Sequence, residues 1–381
     1  SRLGMIFNIE SEDEISEILK LYDKFVRDTH LKSDYAENDV YDHLYRRAKG
    51  FKNMILEVTD ACNMRCKYCV YSDHYFNTRS HGDKLMSFNI AKKAVDDYMK
   101  NIIQVKKVEA AVVPAVTFYG GEPLLNLDLI EKVVDYIKAK YPNEKCRFGL
   151  TTNGTLLDDR AIKVLCENDF VITISLDGDQ ADHDRNRVFK NGKGTYYVVM
   201  KNYKRLKQLY PDMQIDISAC FDYATNLDCM NDAFRENKMK IGNLAKIDAE
   251  NTRYYDLFTE EDKIKFSKRC DLIKQRVLNA IREGKSKDDL DPLDKQIYQV
   301  YSALSNNAMM GGRKVSCIPG EKIFVDLNGD YYACEKVDRN FKIGDVHMGL
   351  DFERIAHMVS RFNEAKNKKC KNCEIEYDCD V

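Results

Sequence analysis

From residue 51 onward the chain alternates short β-type runs with amphipathic helical stretches, and this constrains the fold more than anything else in it. Strand candidates fall at 54–59, 115–119, 147–151, 171–175, 215–221 and 243–247. Helix candidates lie between them at 89–103, 127–140, 160–167, 197–209 and 227–237, with a long one near 260–283. Strand–helix alternation of this kind builds a parallel sheet with right-handed crossovers. Six units predict an α/β fold: a partial (β/α)6 barrel, open on one side. In such barrels chemistry sits at the C-terminal ends of the strands, so the strand ends are where the residues must be read.

The first strand end carries Cys62-Asn-Met-Arg-Cys66-Lys-Tyr-Cys69. Three thiolates on one short loop can hold three irons of a cubic 4Fe–4S cluster and leave the fourth iron open. An open iron suits a cluster that binds a substrate or cofactor directly. On spacing alone a zinc site built around Cys66 and Cys69, or a redox dithiol, is also compatible.

The next three strand ends are polar and glycine-rich. The second carries Tyr119-Gly120-Gly121-Glu122-Pro123, the third Thr151-Thr-Asn153-Gly154, and the fourth Ser175-Leu-Asp177-Gly178. Glycines allow backbone to approach a ligand without a Cβ in the way. Singly, Asn-Gly and Asp-Gly are ordinary turns. In order, behind the cysteine triplet, they resemble the radical S-adenosylmethionine (radical SAM) enzymes. That resemblance implies a cluster on Cys62, Cys66 and Cys69, with S-adenosylmethionine on the open iron. It further implies that Gly120, Gly121 and Glu122 hold the cofactor's amino group, and that Asn153, Ser175 and Asp177 reach its ribose or carboxylate. Tyr68 is expected near the adenine, and Arg187 on a carboxylate or substrate.

The C-terminal part adds five more cysteines in order. Cys317 and Cys334 bracket two β-type runs, 322–327 and 331–334, around Asn328-Gly329, a strong hairpin signal; Cys370, Cys373 and Cys379 follow. The order resembles the SPASM extension of radical SAM enzymes, which implies one or two auxiliary 4Fe–4S clusters. The pattern's next cysteine would fall beyond Val381, so the ligand sets are expected to be incomplete in this sequence. A zinc knuckle from Cys370, Cys373 and Cys379 is the alternative. The expected organisation is an N-terminal extension (1–50), a partial barrel (51–284), and a bridge with the SPASM domain (285–381). The extension reads as a short strand and an amphipathic helix, part of a leader-peptide recognition element.

Enzymes of this architecture mostly modify ribosomally made peptides. In sulfatase maturases an Asp follows the second hairpin cysteine and acts as a base; here Glu335 holds that place and is the candidate catalytic acid–base. The N-terminal fifty residues, and Tyr68-Cys-Val-Tyr-Ser72 followed by Arg79-Ser-His81, look more like maturases that install thioether links in Cys-rich peptides. The resemblance therefore implies a precursor peptide as substrate and a flavodoxin or ferredoxin as reductant. Sulfatase maturation is the alternative, and an iron–sulfur electron carrier the reading from another class.

Formal net charge is −2, which argues against a broad nucleic-acid footprint. No apolar run reaches the length of a membrane span and no signal-type segment opens the chain, so a cytoplasmic location is expected. Thirteen cysteines, an odd number with metal-type spacings, do not suggest disulfides. Cys146, Cys166, Cys220, Cys229 and Cys270 are expected to be small buried apolar residues.

Overall fold

The computed structural model describes residues 51–305, 319, 322–358 and 361, apart from 73, 74, 76–78, 108, 109, 250 and 251. The expected elements of the N-terminal extension, Cys317, Cys370, Cys373 and Cys379 lie outside the described residues.

Six parallel strands form the expected partial barrel: β1 (Asn53–Thr59), β2 (Ala115–Gly120), β3 (Arg147–Thr152), β4 (Val171–Ser175), β5 (Ile215–Phe221) and β6 (Ile241–Lys246). They lie in sequence order, β1 to β6, and β6 is an edge of the sheet. The barrel is therefore open on one side. The crossovers are α1 (Phe88–Lys106), α2 (Leu127–Lys140), α3 (Asp159–Glu167), α4 (Gln180–Asn186), α5 (Tyr196–Leu209) and α6 (Leu227–Glu236). Then come α7 (Glu260–Arg282) and α8 (Pro292–Ser305). Helix starts are set by side chains that take orphan amides. Ser87, Asp158, Asp179 and Asn226 each accept from the third residue on, and Thr259 forms a capping box with Asp262.

Strand side chains alternate between two faces. The convex face carries Val116 and Phe118, Phe148 and Leu150, Ile172 and Ile174, and Ile217, all buried. These pack on apolar helix positions such as Met99, Val134, Leu165, Leu206 and Phe234 in one continuous core. The concave face is small and polar instead: Thr117, Tyr119, Gly149, Thr151, Thr173, Ser175, Ser218 and Cys220 are half-buried there. The lumen is thus a lined space that the core does not fill.

The C-terminal hairpin extends this same sheet. Strand β7 (Lys322–Val325) pairs parallel with β1, and β8 (Asp330–Tyr332), β9 (Gly344–Asp345) and β10 (Gly349–Leu350) continue antiparallel. The expected turn is present: Gly329 has φ +86°, and Asp326 accepts the amides of Asn328 and Asp330 at 2.9 Å each. Because β1 is covered on both faces, six of its seven residues are buried.

Candidate active site

The loop leaving β1 is held from two sides. Arg65 N and Lys67 N donate to the carbonyls of Val188 and Asn186, at 2.8 and 3.0 Å. Gly121 N and Glu122 N donate back to Thr59 O and Ala61 O, at 2.9 and 2.8 Å. A Cβ on Gly120 would lie 2.2 Å from Thr59 O, and one on Gly121 would lie 2.2 Å from Ala61 O. The glycines are therefore required by the close approach of the cysteine loop itself, since no side chain survives such a contact.

Glu122 is built into the framework behind the loop. It is fully buried, and its carboxylate accepts from Leu124 N (3.1 Å), Thr152 Oγ1 (2.7 Å) and Asn153 N (2.7 Å). Burial pushes it up to about 7 against the pull of those donors. It joins the ends of β2 and β3. Asn153 in turn donates to Asn63 Oδ1 at 2.9 Å, with the same nitrogen 3.9 Å from Cys62 Sγ.

Asp177 and Arg187 come together beneath the loop. Asp177 accepts from the Tyr68 hydroxyl, from Arg187 Nε (3.1 Å) and from Cys220 N (2.9 Å). The guanidinium lies 5.5 Å from the Tyr68 ring centroid, and its Nη1 lies 4.0 Å from Cys66 Sγ. His183, fully buried, takes the Asp177 amide on Nδ1 at 3.3 Å and pairs through Nε2 with Thr195 Oγ1 at 2.9 Å. Burial, then the charge of Arg187, lowers it to about 3, so it is neutral. Ser175 stands on the lumen wall at the end of β4.

The three thiols fit a 4Fe–4S cluster. Cys62 is buried and Cys66 and Cys69 half-buried. Cys62 and Cys69 each accept a backbone amide, from Met64 and Tyr71, at 3.4 Å. Cys66 feels the charges of both other thiols. Yet among the described residues no three metal-ligating side chains converge as a single ion would require. In a cubane each thiol would take a different iron. Burial pushes Cys62 up to about 11 and Cys66 up to about 12, so bound metal would have to offset that cost to hold them as thiolates.

Glu335 follows the buried Cys334 at the end of the hairpin that adjoins β1. Burial would raise it, but Lys322 at 3.1 Å holds its carboxyl below the ordinary value. Tyr119, on the lumen wall, is pushed far up by burial and then by the charges of Glu335 and Cys69.

Three features escaped the sequence reading. Cys220 is a half-buried lumen residue beside Asp177 and Tyr68; Cys146, Cys166 and Cys229 are half-buried too, so that of the five single cysteines Cys270 alone is buried as expected. A second buried network joins Asp222 to Arg185 (2.6 and 2.9 Å) and Tyr254 (2.7 Å), beside a cavity of about 180 Å³ that also meets Lys67. Third, Arg79, 1% exposed, pairs with Glu57 at 3.4 Å and donates to the Glu335 carbonyl. Arg79 stands in the sequence only within a subgroup resemblance; its buried pairing is signalled by a glutamate in the apolar middle of β1.

Residues 56–225 match the family model of the Radical SAM superfamily. An uncharacterised protein of Methanocaldococcus jannaschii is 37% identical over 158 residues, 42% of this chain and 49% of that protein, so the match spans about half of that relative. The cysteine-type anaerobic sulfatase-maturating enzyme of Clostridium perfringens (strain 13 / Type A) is 25% identical over 333 residues, covering 84% of this chain and 85% of that one. The fold is shared with native anSMEcpe solved with bound AdoMet and the Cp18Cys peptide. That structure has a TM-score of 0.63 and 20% identity, over 86% of this chain and 87% of that one. Among the described residues no helix is long and apolar enough to cross a membrane.

Proposed function

With residues 56–225 forming a radical SAM domain, we propose that the chain takes a hydrogen atom from a peptide residue held in the barrel lumen, and that the product is a thioether between a cysteine sulfur and that carbon. When bound, the cluster and S-adenosylmethionine supply the deoxyadenosyl radical that carries the hydrogen atom away. Cys62, Cys66 and Cys69 hold the cluster at the lumen mouth. The small hydroxyl side chains of Thr117, Thr151, Thr173 and Ser175 leave room for an extended peptide and offer its backbone partners. Glu335, anionic at neutral pH, receives the proton of the cysteine thiol. The remaining electron would go to an iron–sulfur acceptor, the role that the resemblance implies for an auxiliary centre at Cys334.

The observation that carries this reading is a three-thiol loop at the C-terminal end of β1, beside a small polar concave face, with the Glu335 carboxylate after the hairpin that adjoins β1. Conversion of a sulfatase-type cysteine to formylglycine is the second reading. The maturase relative along most of the chain and the retained acid after Cys334 favour it.

The test is an anaerobic reaction of the reconstituted, reduced full chain with S-adenosylmethionine and a cysteine-rich precursor peptide from the same operon, or a cysteine-containing sulfatase peptide. A peptide lighter by two hydrogens, with a cysteine no longer alkylatable, is the expected product. Exchange of the cysteine sulfur for an aldehyde oxygen would replace this reading with the second.

A further inference from the structure

Each cluster thiol has a donor, but the donors differ in kind. Cys62 and Cys69 take neutral backbone amides; Cys66 faces the guanidinium of Arg187 at 4.0 Å. That guanidinium is 8% exposed and firmly held. Its Nε is on Asp177, its own amide donates to His183 O at 2.8 Å, and its carbonyl accepts from Thr195 Oγ1 at 3.0 Å. Of the groups around it, Asp177 carries the opposing charge, whereas Tyr68 and Cys220 are kept neutral by burial. Arg65 also approaches the loop, donating to the carbonyls of Cys62 and Met64, but it is exposed to water.

Reduction adds one negative charge to a cluster already made anionic by its thiolates. A fixed cation at a ligand sulfur favours the reduced state, a fixed anion opposes it, and both act strongly where water is excluded. We propose that Arg187 and Asp177 form an opposed charge pair that sets the reduction potential of the cluster held by Cys62, Cys66 and Cys69. The arginine makes the cluster easier to reduce and the aspartate limits that effect. This assigns the pair to the cluster's electronics, and it does not depend on which peptide is modified.

The test is an EPR-monitored redox titration of the anaerobically reconstituted full chain without S-adenosylmethionine, following the signal that changes when that cofactor is later added. Iron and sulfide content are measured in every variant. The expected result is a more negative midpoint for Arg187→Met and a more positive one for Asp177→Asn. Arg187→Lys stays near wild type, and Arg65→Met moves less than either of the first two. A merely structural role cannot give shifts of opposite sign. Shifts in the same direction, or loss of the cluster from both Arg187→Lys and Asp177→Asn, would overturn the proposal. So would unchanged midpoints with only the KM for S-adenosylmethionine raised, which would leave Arg187 a cofactor contact.

Discussion

Two tyrosine–acid–arginine triads flank Cys69, and they are spent on different tasks. At the rim, Tyr68 donates to Asp177, which pairs with Arg187. At the seam between barrel and hairpin, Tyr71 donates to Glu57 at 2.6 Å, and Glu57 pairs with Arg79. The chemistry is the same; what the far side of each arginine meets is not. Arg187 reaches the Cys66 sulfur. Arg79 lies 4.1 Å from the Phe324 ring centroid, donates to the backbone carbonyl of Glu335, and ties β1 to β7 and to the turn after β8 that holds Cys334 and Glu335. Surroundings, and not residue type, divide the two roles. Arg79 therefore belongs to the scaffold, although its sequence neighbourhood resembled a subgroup signature.

The comparison breaks most visibly at the seam. Glu57→Ala leaves Arg79 buried without its counter-ion and is expected to cost about 3–5 kcal/mol in chemical denaturation of the apo-protein. The double change Glu57→Gln with Arg79→Met removes both charges and should recover most of that loss. If the single variant costs no more than an exposed ion pair, below about 1 kcal/mol, the seam triad is not the joint described.

The triads also answer pH in opposite senses. His183, which holds the Asp177 amide, has a folded-state value lowered from 6.5 to about 3. Its contribution is present above pH 6.5 and is lost as pH falls through that window, by about 2 kcal/mol between pH 6.5 and 5. Glu57 is raised above 4.5, chiefly by burial. The folded state then holds its proton more tightly, and this contribution declines as pH rises above 4.5. Stability curves of His183→Gln and Glu57→Gln against wild type should flatten on opposite sides; a change on the same side would remove the contrast.

A smaller effect sharpens the rim. Gly121→Ala places a Cβ against Ala61 O and should cost about 1–3 kcal/mol by overpacking, while iron uptake falls more than the fold's stability implies. Normal iron content in this variant would show that the glycine does not position the cysteine loop.

Much of this architecture was readable in the sequence, because strand–helix alternation and capping residues are local. The first five strands begin and end within a residue or so of their expected limits, and β6 within two. Helix α4 was missed because Gln180-Ala-Asp-His-Asp-Arg-Asn186 shows no apolar period; only Asp179 as a cap signals it. The pairing of β7 with β1 was not legible, since it joins segments some 270 residues apart. The same holds for the triads, whose partners are far apart along the chain. The glycine-rich motif is legible in the sequence, but not that Gly120 and Gly121 make room for the loop that carries the thiols while the Glu122 carboxylate joins β2 to β3.

The most direct test is deoxyadenosine formation. The full chain, reconstituted and reduced without oxygen, is given S-adenosylmethionine, and wild type is compared with Cys66→Ala. Wild type should release 5′-deoxyadenosine and Cys66→Ala none above background. Equal release from both, or none from a wild type that carries its full iron and sulfide, would contradict the radical chemistry assigned to this site.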